Sequence, residues 1–230
     1  MVRRIVDLTL APLLEGRPPC VLDPACGAGE FLLEAFRQIR LSHGPAAACR
    51  SVAGMDIDRP AVTAAQSRLK AANRDFVVDN IRTGDALNTD FLRPASFDCL
   101  IGNPPYINIR QLAKNLSREK IDQLRQRFRT ARGNFDLYVI FIERAIELLR
   151  PGGRCGLIVP NKWATLDYAR PCRELLLQQT TIEQVIDFSD ARAFAGASVY
   201  PHVLIFRKEP STTDHTIRFQ SDPRDKPTVI

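Results

Sequence analysis

Short apolar runs alternate with helical patterns along most of this 230-residue chain, and this alternation limits the possible folds more than any other feature. The apolar runs predict strands at residues 20–23, 51–56, within 76–82, 97–102, 155–159, 182–188 and 202–207. The helical patterns predict helices near the N-terminus, at residues 30–40, from the N-cap Asp58 to Ala72, at 136–149 with Pro151-Gly152-Gly153 closing it, and at 170–178. Strands and helices that alternate at this spacing favour a parallel sheet. The sequence therefore predicts an α/β protein with a Rossmann-like, doubly wound, mostly parallel seven-stranded sheet and helices on both faces.

The composition, 45% hydrophobic and 25% charged, is typical of a globular protein with a sizeable core. Residues 137–149 are apolar but are interrupted by Glu143, Arg144 and Glu147, whereas a transmembrane helix needs about 20 mainly apolar residues. The six cysteines include no C-x-x-C pair, and the three histidines are far apart without ligand spacing. We therefore expect a cytoplasmic protein with reduced cysteines, no membrane segment and no metal.

The net charge of +6 is concentrated in one stretch, residues 108–134, which we call the basic segment. It holds eight basic residues against Glu119 and Asp122, so its own charge is 8 − 2 = +6. One interpretation is a solvated helical face. The other is a surface for a polyanion, which the position of the segment in the chain favours.

Four polar segments follow four predicted strands, and ligands bind at such strand ends in open parallel sheets. The first is the glycine turn, residues 23–29 (DPACGAG), in which Gly27 and Gly29 would let a ligand approach the backbone. Asp56 ends the second strand, where a carboxylate can accept hydrogen bonds from ribose hydroxyls. Asp85 follows the third strand, where its carboxylate can accept a hydrogen bond from an exocyclic amine. Taken singly, each feature has a plain structural explanation. The two glycines would fit a tight turn, Asp56 a helix cap, and Asp85 a turn aspartate.

The four segments occur in the order that a nucleoside-type cofactor requires. Glu30 and Phe31 follow the glycine turn where a dinucleotide fold would bind a pyrophosphate. An acidic residue at that place repels phosphate and suits a cation. The sequence therefore favours S-adenosylmethionine, with its sulfonium and ammonium groups, over NAD.

The fourth segment is the tetrad, residues 103–106 (NPPY), directly after the fourth strand. Pro104 and Pro105 have no N–H, and each holds the preceding residue in an extended conformation. A strand-terminating turn would explain the pair. A rigid ledge that presents an amide and a carbonyl to a substrate would explain it as well.

The motifs DPACGAGEFLLEAF, GMDID, GDAL, FDCLIGNPPYI and RPGGRCGLIVPNKW together resemble those of the N6-adenine DNA methyltransferases of restriction–modification systems. The order matches the gamma type, and the resemblance covers about residues 3–208. It implies a class I S-adenosylmethionine-dependent methyltransferase that flips an adenine out of DNA and methylates its N6 amine.

The resemblance also implies roles for individual residues. Asn103, through its side-chain oxygen, and Pro104, through its carbonyl, would accept the hydrogens of the target amine, and Tyr106 would stack on the base. Cofactor binding is implied for Asp23, Ala25, Gly27, Gly29, Asp56, Ile57, Asp85 and Asn103. DNA or base contacts are expected for Pro105, Tyr106, Phe194, Arg125, Arg127 and Arg129.

Two parts of the family pattern are not matched. We find no Thr-Pro segment before the first helix and no target-recognition region after residue 208, where residues 209–230 are expected to be a polar tail or linker. We therefore expect a fragment, or a catalytic domain that borrows recognition from a separate domain or subunit. Three alternatives stay open: methylation of a protein glutamine amide, methylation of RNA adenine, and a non-catalytic nucleic-acid-binding module.

Overall fold

The computed structural model describes residues 1–89, 91–114, 116–188, 200–212, 214–221 and 228–229. Within these residues the chain forms two compact units, Met1–Asn103 with Leu148–Leu157, and Pro104–Glu147 with Ile158–Ile230. The helices are α1 (Val2–Leu10), α2 (Glu30–His43), α3 (Pro45–Ser51), α4 (Arg59–Ala72), α5 (Ile109–Leu112), α6 (Arg118–Arg127), α7 (Leu137–Leu148), α8 (Lys162–Thr165) and α9 (Arg170–Gln179). The strands are β1 (Val21–Asp23), β2 (Val52–Asp56), β3 (Ile81–Thr83), β4 (Phe97–Gly102), β5 (Leu149–Pro160), β6 (Thr181–Asp187), β7 (Pro201–Arg207), β8 (Arg218–Gln220) and β9 (Thr228–Val229).

The first unit is built on parallel strands in the order β3-β2-β1-β4-β5. In register, Leu22 of β1 lies opposite Ala53 of β2 on one side and Leu100 of β4 on the other. Helix α2 buries an apolar stripe at helical spacing, formed by Phe31, Leu32, Ala35, Phe36 and Ile39. Because the strands are parallel and in register, the ends of β3, β2, β1 and β4 lie along one edge, which we call the carboxyl edge.

The second unit contains β7, β6, β8 and β9 in that order. Strand β6 pairs antiparallel with β7 and parallel with β8, and β8 pairs antiparallel with β9. Helix α7 is buried on most of its surface, including Tyr138, Val139 and Ile142. Within the described ranges, no helix combines the length and the apolar character that crossing a bilayer requires.

The predicted fold class is correct, but the strand count is too low. The described residues form nine strands instead of seven, because β8 and β9 were not counted. These strands are only three and two residues long and lie in a polar stretch beyond Lys208. Strands this short show little alternation of apolar and polar residues, so the sequence after Lys208 indicates no more than one possible strand.

The predicted closure of a helix by Pro151-Gly152-Gly153 is wrong. Helix α7 ends at Leu148, and the three residues belong to β5. Phe97 of β4 lies opposite Leu149, whereas Cys99 lies opposite Arg154, so extra residues of β5 are accommodated in a bulge. Proline and glycine are tolerated in such a bulge because the regular ladder is interrupted there.

Candidate active site

The carboxyl edge brings together the four polar residues that the sequence places after four strands. In the strand order β3-β2-β1-β4, the residues at or just after the strand ends are Asp85, Asp56, Asp23 and Asn103. The registers align these ends, since Asp56 lies opposite Thr83 and Asp23 lies opposite Gly54. A row of acceptor side chains therefore borders one edge of the first unit.

Asp56 fixes the glycine turn to the end of β2. Its Oδ2 accepts a hydrogen bond from the Gly27 N–H at 2.8 Å, and its Oδ1 accepts one from the Asp58 N–H at 2.9 Å. Asp58 lies at the predicted N-cap position of α4, and the acceptor that holds its backbone is Asp56. Each carboxylate oxygen has two lone pairs, so Asp56 can still accept from a ligand hydroxyl.

The two glycines of the turn have different surroundings. Gly27 adopts φ +49°, and a Cβ built on it would meet nothing within 4 Å. Gly29 adopts φ +82°, and a Cβ there would lie 3.0 Å from the Cβ of Ala65 in α4. Both positions favour glycine because φ is positive. Only Gly27 leaves open space for a ligand, whereas Gly29 allows α4 to pack against the start of α2.

Asp23 is a buried carboxyl group at the centre of the row. It is 1% exposed, and its Oδ1 accepts a hydrogen bond from the Ala25 N–H at 3.0 Å. Burial is the main reason that the pKa of Asp23 is raised to about 8; the Ala25 hydrogen bond lowers this pKa in part, and the charges of Asp56 and Glu30 contribute to raising it. At neutral pH this carboxyl group holds its proton in the folded chain.

Replacement of Asp23 by asparagine is expected to flatten the pH dependence of stability between about pH 4 and pH 8. The folded chain keeps the Asp23 proton up to a pKa of about 8, whereas an unperturbed aspartate releases it at 3.8. In that window the folded state binds more protons than the unfolded state, so the free energy of unfolding falls as the pH rises. The stabilising contribution is complete below the lower value and lost above the higher one.

Urea unfolding of the wild type and of Asp23→Asn at several pH values from 5 to 8.5 measures this difference. The asparagine oxygen can still accept from the Ala25 N–H, so the turn should be retained. If both proteins lose stability equally across the window, Asp23 does not hold a proton in the folded state.

Asp85 and Ile57 lie at the solvent side of the carboxyl edge. Asp85 is exposed, and its Oδ1 accepts from the Leu87 N–H at 3.0 Å, as expected of a turn aspartate. Ile57 follows Asp56 and is 76% exposed, which is unusual for a large aliphatic side chain. An aromatic ligand ring that covered Ile57 would remove this apolar surface from water.

Glu30, which follows the glycine turn, is paired with a cation. Arg68 of α4 lies 2.6 Å from the Glu30 carboxylate and also donates to the carbonyl of Ala28 at 3.0 Å. The pair lies at the N-terminus of α2, where a dinucleotide fold would bind its phosphates. The first turn of α2 therefore already carries a carboxylate where a phosphate would bind in a dinucleotide fold.

Asn103 directly follows a close contact between β4 and Asp23. A Cβ built on Gly102 would lie 2.5 Å from the Asp23 Oδ1, so only glycine fits there. Asn103 itself is exposed. The amide that the sequence predicts as a substrate acceptor is thus one residue away from a contact with the buried carboxyl group.

The remaining residues of the tetrad belong to the second unit. Pro104 is buried, whereas Pro105 and Tyr106 are half-buried. The Tyr106 hydroxyl donates to the Ile158 carbonyl at 3.1 Å, and its ring meets that of Tyr138 edge-on, with centroids 6.4 Å apart. Burial raises the pKa of Tyr106, so the phenol remains neutral and acts as a donor.

The basic segment forms α5 and α6, and all eight of its basic side chains are exposed. A groove of about 360 Å³ is lined by Arg110, Arg118 and Arg125, by the acidic Asp122, and by apolar residues that include Ile109 and Ile121. Exposed cations around a groove can bind phosphate groups without burying their own charge. The structure therefore brings together three arginines that are up to 15 residues apart in sequence.

The other two predicted DNA-contacting arginines have protein neighbours. Arg129 lies 3.3 Å from Glu174 and 3.1 Å from the Gln178 Oε1, while its backbone N–H donates to Glu143 at 2.9 Å. The Arg127 guanidinium lies 5.0 Å from the centre of the Phe128 ring. Of the three predicted arginines, Arg125 alone borders the groove.

Phe194, predicted as a second base-contacting aromatic residue, lies outside the described residues. Trp163 is 7% exposed and meets the His202 ring edge-on, so its side chain belongs to the packed interior of the second unit. Sequence reasoning missed Asn108, Asp136 and Tyr168, which form a hydrogen-bonded cluster behind Tyr106. The position of Asp136 just before α7 is a weak sequence signal, since acidic residues favour helix N-termini.

Comparisons with known sequences point to one family. The profile described as Eco57I restriction-modification methylase matches residues 50–194. Type II methyltransferase M.TthHB8I of Thermus thermophilus is 32% identical over 214 residues, which cover 90% of this chain and 43% of that protein. Type II methyltransferase M.PaeR7I of Pseudomonas aeruginosa is 30% identical over 219 residues, which cover 86% of this chain and 36% of that protein. The chain therefore spans less than half the length of these two relatives.

Solved structures share the fold at low sequence identity. The M protein of the type I restriction enzyme EcoKI superposes with a TM-score of 0.68 and 19% identity, over 95% of this chain and 47% of that one. A Listeria monocytogenes protein assigned to the class I S-adenosylmethionine-dependent methyltransferases gives a TM-score of 0.72 and 17% identity, over 97% of this chain and 64% of that one. These likenesses confirm the predicted fold.

Proposed function

Because the chain belongs to the Eco57I restriction-modification methylase family, we propose that it transfers a methyl group from S-adenosylmethionine to the N6 amine of adenine in DNA. The observation that carries the proposal is the position of Asn103, directly after the contact of Gly102 with the buried carboxyl group of Asp23. An acceptor for an amine and a group suited to a cation thus adjoin at one strand end.

The residues of the carboxyl edge fit S-adenosylmethionine. The open space at Gly27 would admit the methionine part of the cofactor, and Asp56 would accept from the ribose hydroxyls. Asp85 would accept from the adenine amine, and the exposed Ile57 would cover the adenine ring. Asp23, whose Oδ1 accepts a hydrogen bond from the Ala25 N–H, would lie nearest the ammonium group of the cofactor. The carboxyl groups in this row suit a cation, as the sequence predicts, and disfavour a pyrophosphate.

Asp23 also has a physical reason to respond to the cofactor. A cation placed beside it favours its ionised form, so binding at neutral pH would release the Asp23 proton. Ionisation of Asp23 would offset part of the cost of holding a positive ligand in a buried place. The neutral carboxyl group in the free protein avoids an isolated buried charge.

The chemistry proposed for the tetrad is a direct in-line displacement. When bound, S-adenosylmethionine supplies the methyl group, the N6 lone pair forms the new N–C bond, and the C–S bonding pair stays on sulfur. The Asn103 side-chain oxygen and the Pro104 carbonyl would accept the two N6 hydrogens. These hydrogen bonds turn the nitrogen lone pair out of conjugation with the ring and toward the methyl group. One N6 proton then leaves to water, and positioning supplies most of the rate enhancement.

Base flipping requires compensation for lost stacking. Extrusion of a base costs a few kcal/mol, and stacking on an aromatic side chain is worth about 1–3 kcal/mol. Tyr106 is held by its hydroxyl and by the edge of Tyr138, so its ring orientation is fixed before a base arrives. We assign the stacking role to Tyr106.

DNA is favoured over RNA and protein by the basic segment. The groove bordered by Arg110, Arg118 and Arg125 would hold the phosphate backbone. Phosphate contacts position a protein on DNA but carry no direct sequence information. Recognition of a particular site therefore requires contacts to base edges in addition to this groove.

The experiment that tests the proposal measures transfer of a labelled methyl group to unmethylated duplex DNA, RNA and a glutamine-containing protein substrate. We expect label in DNA, recovered as N6-methyladenine after digestion. Label in RNA or protein would support one of the enzyme alternatives. No transfer, together with no binding of S-adenosylmethionine by calorimetry, would support a non-catalytic module.

Reversal of Arg118 and Arg125 to glutamate is expected to weaken DNA association and to flatten its salt dependence. Each phosphate contact contributes about 0.9 to the slope of log K against log salt, so loss of two contacts should lower the slope by about two. The matched control reverses Arg50 and Arg74, which are exposed residues of the first unit. Fluorescence anisotropy of a labelled duplex at several salt concentrations measures both slopes. Equal slopes for the two variants would make the basic segment a solvated helical face.

A further inference from the structure

A cluster of polar side chains in the second unit connects Tyr106 to the buried carboxylate of Asp136. We propose that Asp136 is a positioning residue that fixes the ring of Tyr106 for stacking on the target base. This inference rests on the proposed function, which assigns the stacking role to Tyr106. It assigns a role to a residue that is 30 positions away from the tetrad and lies outside the five motifs on which the resemblance rests.

The first arm of the cluster runs through two tyrosines. The Tyr106 ring meets the Tyr138 ring edge-on at 86°, with centroids 6.4 Å apart. The Tyr138 and Tyr168 hydroxyls are 2.8 Å apart, and the Tyr168 hydroxyl donates to the Asp136 Oδ2 at 2.8 Å. The ring that supports Tyr106 is therefore linked to Asp136 by two short hydrogen bonds.

The direction of these hydrogen bonds follows from the number of protons. Each tyrosine has a single O–H, and the Tyr168 O–H is directed to Asp136. Tyr138 must therefore donate to the Tyr168 oxygen. Burial raises the pKa of both tyrosines, so both remain donors at neutral pH. Asp136 is the final acceptor of the chain and determines the direction of every donor in it.

The second arm fixes the backbone that follows Tyr106. The Asn108 Nδ2 donates to the Asp136 Oδ1 at 2.8 Å, while the Asn108 Oδ1 accepts from the Arg110 N–H at 3.0 Å. Asn108 and Asp136 also form an antiparallel bridge. The Ile109 N–H donates to the Phe135 carbonyl at 3.0 Å, and the Leu137 N–H donates to the Ile107 carbonyl at 2.8 Å. The segment directly after Tyr106 is thus bonded to the segment around Asp136.

Asp136 therefore acts on Tyr106 from two sides, through the ring of Tyr138 and through the backbone at Asn108. Asp136 is 9% exposed, and a buried carboxylate needs partners on its oxygens. Its position directly before α7 also favours a negative charge, because a helix N-terminus carries partial positive charge. Tyr168 and Asn108 occupy separate oxygens of the carboxylate, so loss of either oxygen as an acceptor breaks one arm.

An exchange of Asn108 and Asp136 tests the proposal. Asp136→Asn alone leaves one acceptor oxygen for two donors, so its NH₂ group must face either the Asn108 NH₂ group or the Tyr168 hydroxyl. Asn108→Asp alone would place two carboxylates face to face. In the double variant, the new carboxylate at position 108 can accept from the new amide at 136 and from the Arg110 N–H. The amide oxygen at position 136 can accept from Tyr168. Both arms are then restored.

The measurements are the kcat for methylation of unmethylated plasmid DNA, the affinity for S-adenosylmethionine, and the amide hydrogen exchange of residues 106–110. We expect each single variant to lower kcat about tenfold or more, the scale for loss of a charge-assisted hydrogen bond. Hydrogen exchange at residues 106–110 should become faster, while cofactor affinity stays within about twofold of the wild type. The double variant should regain most of the kcat and the slow exchange.

Tyr168→Phe provides a second variant, since it removes one O–H and keeps the ring. We expect it to lower kcat in the same direction without change in cofactor affinity. The proposal is overturned if the single variants leave kcat unchanged, or if they lower kcat and cofactor affinity equally and the double variant restores neither. If the wild type methylates nothing, the proposed function fails on its own. Hydrogen exchange then still reports whether Asp136 orders the Tyr106 segment, and unchanged exchange overturns that ordering.

Discussion

Replacement of Asn103 by alanine is expected to abolish methyl transfer while the affinity for S-adenosylmethionine stays nearly unchanged. The side-chain oxygen of Asn103 is assigned to the target amine, whose lone pair is unreactive until its hydrogens are accepted. Loss of one preorganised hydrogen-bonding group aimed at the reacting atom costs about a hundredfold to a thousandfold in rate. Asn103 is exposed, so the substitution should not disturb packing.

Asn103→Asp is the matched variant for this prediction. A carboxylate keeps an acceptor for the amine but adds a negative charge near the sulfonium, which should tighten cofactor binding. We expect it to retain more activity than Asn103→Ala. Single-turnover methylation rates and calorimetric affinities for the three proteins measure both quantities. Equal loss of rate and of cofactor affinity in Asn103→Ala would contradict the assigned role.

Replacement of Gly102 by alanine is expected to lower the rate of methyl transfer and the affinity for the cofactor together. The new Cβ would lie 2.5 Å from the Asp23 Oδ1, a distance that requires a displacement of either Asp23 or the backbone before Asn103. Overpacking of this kind typically costs about 1–3 kcal/mol. A shift of Asp23 would weaken cofactor binding, and a shift of Asn103 would misplace the acceptor for the amine. The cofactor affinity and the methylation rate should therefore each fall by about tenfold or more.

Gly16→Ala is the control for this prediction. Gly16 is exposed, and a Cβ built on it would meet nothing within 4 Å. Calorimetry with S-adenosylmethionine, methylation rates and urea unfolding should show little change in this control. A Gly102→Ala protein that binds the cofactor as the wild type does would show that the contact between Gly102 and Asp23 has no part in the site.

The two predictions differ in a way that separates the two halves of the chemistry. Asn103→Ala should lower the rate far more than the cofactor affinity, because its side-chain oxygen is assigned to the amine, whereas Gly102→Ala should lower both. The same distinction applies to Asp136, whose variants should change kcat without changing cofactor affinity. Two patterns are therefore expected: Asn103→Ala and the Asp136 variants should lower the rate alone, whereas Gly102→Ala should lower both the rate and the cofactor affinity.

Much of the carboxyl edge could be predicted from sequence, because strand ends in a parallel sheet share one edge regardless of side-chain detail. The predicted positions of Asp23, Asp56, Asp85 and Asn103 after four strands agree with the structure. The separate surroundings of Gly27 and Gly29 could not be predicted. Gly29 is constrained by Ala65, which is 36 residues away in sequence, and only the packing of α4 brings the two together.

The basic segment shows the same division. Its charge is evident from sequence, but the sequence does not tell which arginines have protein neighbours. Arg129 is paired with Glu174 of α9, whereas Arg125 borders an open groove. The difference depends on which residues α9 places next to the end of α6, which is a property of the packed structure.

The sequence by itself determined the order of the first seven strands, the acidic character of the carboxyl edge and the rigid tetrad, because these depend on local pattern, charge and the missing N–H of proline. The tertiary structure decided that Asp56 holds the glycine turn, that Asp23 keeps its proton and that Asp136 supports Tyr106. These properties arise from burial and from hydrogen-bond partners far apart in the chain. Local sequence does not specify such partners, because they are chosen when the elements pack together.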